Sequence, residues 1–96
     1  MLVYSVGHMK SSKQLERYFK GSANHTRISI LLLVHKMDSI TLDEISSKLN
    51  KNFKTISEHT RRLVQSGLIN KKSIGRNVAH SLSPYGTKFV KFINTF

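Results

Sequence analysis

Residues 41–69 read TLDEISSKLNKNFKTISEHTRRLVQSGLI, and their spacing describes two short amphipathic helices joined by a tight polar turn. Thr41 followed three residues later by Glu44 is a capping box, in which each side chain satisfies a free backbone N–H at the helix start. Leu42, Ile45 and Leu49 then fall at i, i+3 and i+7 on one face, leaving Asp43, Ser46, Ser47 and Lys48 to solvent or a partner. The polar run Asn50-Lys51-Asn52 breaks the pattern. Asn52 is placed to cap a second helix on which Phe53, Ile56, Thr60, Leu63 and Val64 share a face, ending near Ser66 with Gly67 as its left-handed stop. The other face carries Lys54, Thr55, Ser57, Glu58, Arg61, Arg62 and Gln65, nearly all long and able to hydrogen-bond. This is the pattern of a helix-turn-helix with a recognition helix. The plainer reading is a helical hairpin whose outer face is merely solvated.

The flanking sequence favours the first reading. Leu68–Ser73 and Asn77–Leu82 are short, partly alternating runs separated by Ile74-Gly75-Arg76, which predicts a basic β-hairpin directly after the recognition helix. Upstream, Ser11 or Ser12 caps a first helix with Leu15, Tyr18 and Phe19 on one face, and Gly21-Ser22 ends it. Asn24 opens a strongly apolar helix, Thr26 to Met37. Its Ile28, Ile30, Leu31, Leu32 and Val34 cover more than one face and are expected at the centre of the domain. Ile40 is expected to bridge to the hairpin as a third strand. Downstream, Ser83 caps a last helix of about 84–95 with Pro84 at its first position, where a missing N–H costs nothing. Phe89, Val90, Phe92, Ile93 and Phe96 form a stripe too rich in aromatics for an isolated exposed helix.

With 96 residues the chain has room for one core, expected over 11–96, and not for a separate sensor domain. Residues 1–10 read as an N-terminal extension: Gly7-His8-Met9 suits a cloning remnant with the native start at Met9, whereas a native Leu2-Val3-Tyr4 would extend a dimer contact. The net charge is +11, distributed as +4 over 1–40, +2 over 41–66 and +5 over 67–96. A polyanionic partner is the simplest explanation of such an excess. Without cysteine there are no disulfides or thiolate metal sites. No apolar run approaches the ~20 residues that span a bilayer. The expectation is a protein with no membrane partner, cytoplasmic and associated with the nucleoid, and the Lys, Ile, Asn and Ser usage suits a prokaryote or one of its viruses.

Thr55-Ile56-Ser57-Glu58-His59-Thr60-Arg61-Arg62-Leu63-Val64-Gln65-Ser66-Gly67-Leu68-Ile69 resembles the recognition-helix signature of ArsR-type winged-helix transcriptional regulators. In that signature a Ser-x-His pair precedes a basic, Leu-containing segment and Gly-Leu-Val or Gly-Leu-Ile. The resemblance runs from about His25 to Leu82, continues loosely into Ser83-Pro84-Tyr85-Gly86, and extends to MarR-like and HxlR-like relatives. Thr60 departs from it, since the family usually has Leu there. It implies a mainly α fold with a small β-hairpin wing, a winged helix-turn-helix at about 41–67 with its wing at about 68–82, and N- and C-terminal dimerisation helices.

The expected function is sequence-specific binding of double-stranded DNA by a homodimeric regulator, a repressor. The alternatives are a sequence-neutral architectural DNA-binding protein and a winged-helix protein–protein interaction module. Lys54, Thr55, Ser57, Glu58 and Arg61 are the expected base contacts, and Thr41, Ser46, Lys51, Arg62, Lys71, Lys72 and Arg76 the backbone or wing contacts. His59 is either a packed spacer or a phosphate donor. Leu15, Tyr18, Phe19, Phe89, Phe92, Ile93 and Phe96 are expected at the dimer interface. No cofactor or metal is expected: the family's thiolate site needs cysteines, its last-helix site needs acids and histidines that 84–96 lack, and His8, His25, His35, His59 and His80 are unpaired in spacing. Nor is catalysis, because Ser57 and His59 diverge on a helix and no phosphate-cradling glycine loop exists.

Overall fold

The computed structural model describes residues 10–96. The expectations for Leu2-Val3-Tyr4, His8 and Gly7-His8-Met9 lie outside the described residues. The order is α1 (Ser12–Ser22), α2 (His25–Lys36), α3 (Leu42–Leu49), α4 (Phe53–Gln65), β1 (Ile69–Ile74), β2 (Asn77–Leu82) and α5 (Pro84–Ile93).

Each helix starts where a side chain takes up its free N–H groups. Ser11 caps α1 reciprocally with Gln14, at 3.2 and 2.8 Å. The Asn24 carboxamide accepts from the N–H groups of Thr26 and Arg27, and that of Asn52 from those of Lys54 and Thr55. The Thr41–Glu44 capping box is complete: Glu44 accepts from the Thr41 N–H at 2.9 Å and donates its own N–H to the Thr41 hydroxyl at 3.3 Å. The turn between α3 and α4 closes through Asn50 in the left-handed conformation, φ 51°. Asparagine tolerates that conformation better than most residues.

The core sits around α2, which contacts the other four helices and β2. Ile30, Leu31 and Val34 meet Ile45, Ile56, Leu63, Leu68, Ile69 and Val90, all fully or almost fully buried. Two of the residues expected at the centre are not there: Leu32 is exposed and Ile28 half-buried. A helix with neighbours on most sides still leaves one strip open, and Leu32 lies about 200° round from Ile30. Thr26 is buried instead.

A larger correction concerns Phe53, which shares the spacing of Ile56, Thr60 and Leu63 yet is 48% exposed. Helical side chains lean toward the N-terminus, so one at the first position leans past the end of its own helix and off the core. The rest of the α4 pattern holds. Gly67, at φ +83°, supplies the left-handed stop.

β1 and β2 pair antiparallel from Ile69↔Leu82 to Ile74↔Asn77, so Ile74 belongs to the strand and the turn is Gly75-Arg76. Gly75 comes first with φ +60°, the order that a twisted two-residue hairpin favours. Ile40 forms the expected bridge, exchanging backbone hydrogen bonds with His80 at 3.2 and 2.8 Å. Ser83 then locks the base of the wing. Its N–H donates to the Leu68 carbonyl at 3.0 Å, its hydroxyl to the Gly67 carbonyl at 2.6 Å, and it accepts the Gly86 N–H at 3.0 Å. A Cβ on Gly86 would collide with the Leu68 carbonyl. Only glycine lets α5 start this close to the end of the recognition helix.

Thr60 is 2% exposed and its hydroxyl has no hydrogen-bond partner. Leaving such a group unpaired costs about 1–3 kcal/mol. Thr60→Val keeps the shape and removes that cost, so urea unfolding is expected to give a stability gain of about 1 kcal/mol. A loss of stability would show that the hydroxyl is satisfied.

Candidate nucleic-acid interface

Burial of Ile56, Thr60 and Leu63 along one side of α4 turns Lys54, Thr55, Glu58, Arg61, Arg62 and Gln65 outward. Of the expected base contacts only Ser57 is half-buried, on the flank of the helix. Glu58 pairs with Arg61 and lies 3.6 Å from Arg62. The Arg61 hydrogen bond holds the Glu58 carboxyl below its ordinary range, so it is ionised at neutral pH. An exposed ion pair is weak in water and screened by salt. Both guanidiniums are thus held over one face of the helix and can be released to another acceptor at little cost.

Lys54, Thr55, Glu58 and His59 line an open depression of about 410 Å³ beside this face. The His59 ring is anchored from behind: Arg27 Nε donates to His59 Nδ1 at 3.1 Å. An accepting Nδ1 places the proton of the neutral ring on Nε2, so the ring presents a donor. Burial, then the Arg27 charge, pushes the His59 imidazole below its ordinary pKa and favours this neutral form. Arg27 also donates to the carbonyls of Gly21 and Lys20 at 3.3 and 3.5 Å, tying the end of α1 to the middle of α4. Sequence reading overlooked Arg27. Its signal was a cation in the first turn of a helix, where the dipole disfavours positive charge and something else must hold it.

The expected backbone contacts divide. Lys51, Arg62, Lys71, Lys72 and Arg76 are exposed. Lys71 pairs across the hairpin with His80 and Lys72 with Ala79, so the two lysines project from opposite faces of the wing. The Ser46 hydroxyl donates to the Lys51 carbonyl at 2.6 Å, and the Thr41 hydroxyl to Glu44 at 3.1 Å. A phosphate at either hydroxyl would have to compete with these bonds.

At the other end, α1 and α5 meet through aromatic rings: Tyr18–Tyr85 at 5.0 Å and Phe19–Phe89 at 5.2 Å, continued by Phe92 and Phe96. Between the helices runs a largely apolar groove of about 470 Å³. Lys10 lies 4.4 Å from the centre of the Tyr85 ring, and the closeness of the two polar groups raises the lysine pKa and lowers that of the phenol. Of the seven residues expected at a dimer interface, Leu15, Phe19, Phe92 and Phe96 are exposed, and Phe89 and Ile93 half-buried. Tyr18 is used inside the chain's own fold, 7% exposed. Among the described residues no three His, Asp or Glu side chains converge as metal ligands.

The sequence model of the MarR family matches residues 23–77, more than half of the chain. The chain belongs to the MarR family. Solved structures share its fold. HlyU from Vibrio cholerae N16961 superposes with a TM-score of 0.80 at 24% identity over 90% of this chain and 94% of that one. The Mb0332 fragment from Mycobacterium bovis, described as a homodimeric winged helix-turn-helix DNA-binding domain and a possible ArsR-family regulator, gives 0.79 at 19% over 91% and 86%. MarR itself gives 0.73 at 21% over 86% of this chain and 64% of that one. The resemblance carried by Thr55–Ile69 is therefore borne out. The matched family is one of the relatives named beside ArsR, and ArsR-type domains share the fold.

The buried His80 and the half-buried His59 both couple folding to pH. His80 is 3% exposed, with Nδ1 3.1 Å from the Ile40 carbonyl oxygen; burial outweighs that bond and lowers its pKa. A depressed histidine stabilises the fold above its unfolded pKa of about 6.5 and loses that contribution as pH falls through the folded value. His59 acts in the same sense. The urea midpoint is expected to fall between pH 7.5 and 5.5, and His80→Gln to flatten the fall. A midpoint constant over that range would contradict the account.

Proposed function

We propose that this MarR-family chain is a sequence-specific double-stranded DNA-binding transcriptional regulator, acting as a homodimer and repressing by occupying a pseudo-palindromic promoter site. The observation that carries the reading is the outward face of α4, where Lys54, Thr55, Glu58, Arg61 and Arg62 stand together, with the basic wing following in a chain of net charge +11. A helix presenting donors and acceptors on an exposed face suits the major groove, whose base edges carry a distinct donor and acceptor pattern.

In this reading Lys54, Thr55, Ser57, Glu58 and Arg61 address base edges, Arg61 reading guanine and Glu58 accepting from cytosine N4 once their mutual pairing is exchanged. Lys51, Arg62, Lys71, Lys72 and Arg76 neutralise phosphates, with Thr41 and Ser46 at the edge of the contact. Arg76, at the tip of the wing, is also placed for a minor groove. Dimerisation is supported by the exposed Leu15, Phe19, Phe92 and Phe96 on α1 and α5, by the half-buried Phe89 and Ile93 beside them, and by the homodimeric Mycobacterium bovis domain of the same fold. Two-fold symmetry would set the recognition helices about one helical turn, ~34 Å, apart. Among the described residues no helix is long and apolar enough to cross a membrane, which suits a cytoplasmic, nucleoid-associated protein.

Arg61→Ala is expected to cost roughly 1–3 kcal/mol of binding and to relax selectivity at one base pair. Arg76→Ala is expected to weaken all sequences alike and to reduce the salt slope by about one unit. Fluorescence-anisotropy titrations on a selected and a random duplex separate the two. Equal effects of both mutants on both duplexes would sink the division of roles.

A further inference from the structure

We propose that Phe53 reads the C5-methyl group of a thymine in the major groove and so determines specificity at one base pair. The inference rests on the DNA-binding function proposed above and adds a residue that sequence spacing assigns to the core.

Ile56, Thr60 and Leu63, which share a helical face with Phe53, are 2% exposed or less, whereas Phe53 is 48% exposed. The core draws Leu42 and Leu49 from α3 and Val64 from α4 into contact with it, and Phe53 is not among them. Most of the other exposed large hydrophobic residues in the described chain lie on the α1/α5 face or at the wing, and Leu32 lies on α2; Phe53 alone lies on the helix-turn-helix. It occupies the first position of α4, next to Lys54 and Thr55. Recognition helices of this kind touch base edges with their N-terminal residues.

A phenyl ring here has nothing to donate or accept. Facing adenine, guanine or cytosine, it would strip water from a polar base edge and return no hydrogen bond, which is unfavourable. The one apolar group that a standard base pair presents in the major groove is the thymine methyl. A ring held at the leading end of the recognition helix therefore favours thymine by burying that methyl and disfavours the other bases by leaving their polar atoms unpaired. Fully burying one methyl is worth about fourfold in affinity.

The test replaces each thymine of a selected duplex, one at a time, with deoxyuridine, which lacks only the methyl. Affinities are measured by fluorescence anisotropy for the wild-type chain, Phe53→Ala and Phe53→Leu. The expected result is one thymine position at which the wild-type chain loses about fourfold in affinity. Phe53→Ala should bind the two duplexes equally, and Phe53→Leu should keep part of the preference. Thermal unfolding shows whether the alanine variant folds, and the leucine variant with the wild-type scan carries the test if it does not. A wild-type chain indifferent to every thymine methyl, or a sensitive position equally sensitive in both Phe53 variants, overturns the proposal. Strong selection among duplexes without methyl sensitivity would remove only the role of Phe53. Equal binding to selected and random DNA would remove sequence-specific recognition and this inference with it.

Discussion

Ile56, Thr60 and Leu63 occupy successive turns of α4, and all three are buried against the α2-centred core. A helix has one rotational setting that buries such a line, so the core dictates where Lys54, Glu58, Arg61 and Arg62 point. Every chemical property of the proposed interface inherits that setting. A rotation of α4 by one residue would bring a charged group into the core, and burying an unpaired charge is far costlier than any exposed contact can repay. The direction of the polar face is thus set by the hydrocarbon beneath it.

The second requirement is that the wing and the recognition helix keep a constant relation, and here polar bonds at close-packed backbone do the work. Ser83 binds the Gly67 and Leu68 carbonyls and the Gly86 N–H, joining the end of α4, the root of β1 and the start of α5 in one knot. The Ile40–His80 bridge fastens the hairpin to the entry of α3. Arg27 adds a third fastening, from the last carbonyls of α1 to His59 on α4. Arg27 thereby links the end of α1 directly to the recognition helix.

Much of this was legible in the residues themselves, and for physical reasons. Caps announce helix starts because few side chains can take up the free N–H groups, which is why Thr41–Glu44, Asn24, Asn52 and Ser83 are legible in the sequence alone. Periodicity found Ile45, Ile56 and Leu63 because they sit mid-helix, where spacing determines facing. It failed for Phe53 at a helix end and for Leu32 on a crowded helix, since it cannot tell which strip of a helix lacks a neighbour. Tyr18 shows the same limit: its spacing placed it with Leu15 and Phe19, but packing against the rest of the chain buries the tyrosine and leaves the other two exposed. Arg27 depends on the approach of α4, and the Ser46 bond on the turn folding back behind α3, neither of which spacing within one helix can express. For the residues proposed to face DNA, outward position was largely readable, Ser57 being half-buried, while the base each would address is a property of the duplex.

The central claim is that the outward face of α4 discriminates among base sequences instead of merely attracting phosphate. The most direct test is a titration of the purified chain with a random duplex and a selected duplex between ~50 and 200 mM salt. The account predicts binding that weakens steeply with salt on both, with the selected duplex bound ~10³-fold or more tightly. Equal affinity for the two duplexes across that range would contradict it and leave an architectural DNA-binding protein in its place. No binding even at the lowest salt would reject DNA as the partner.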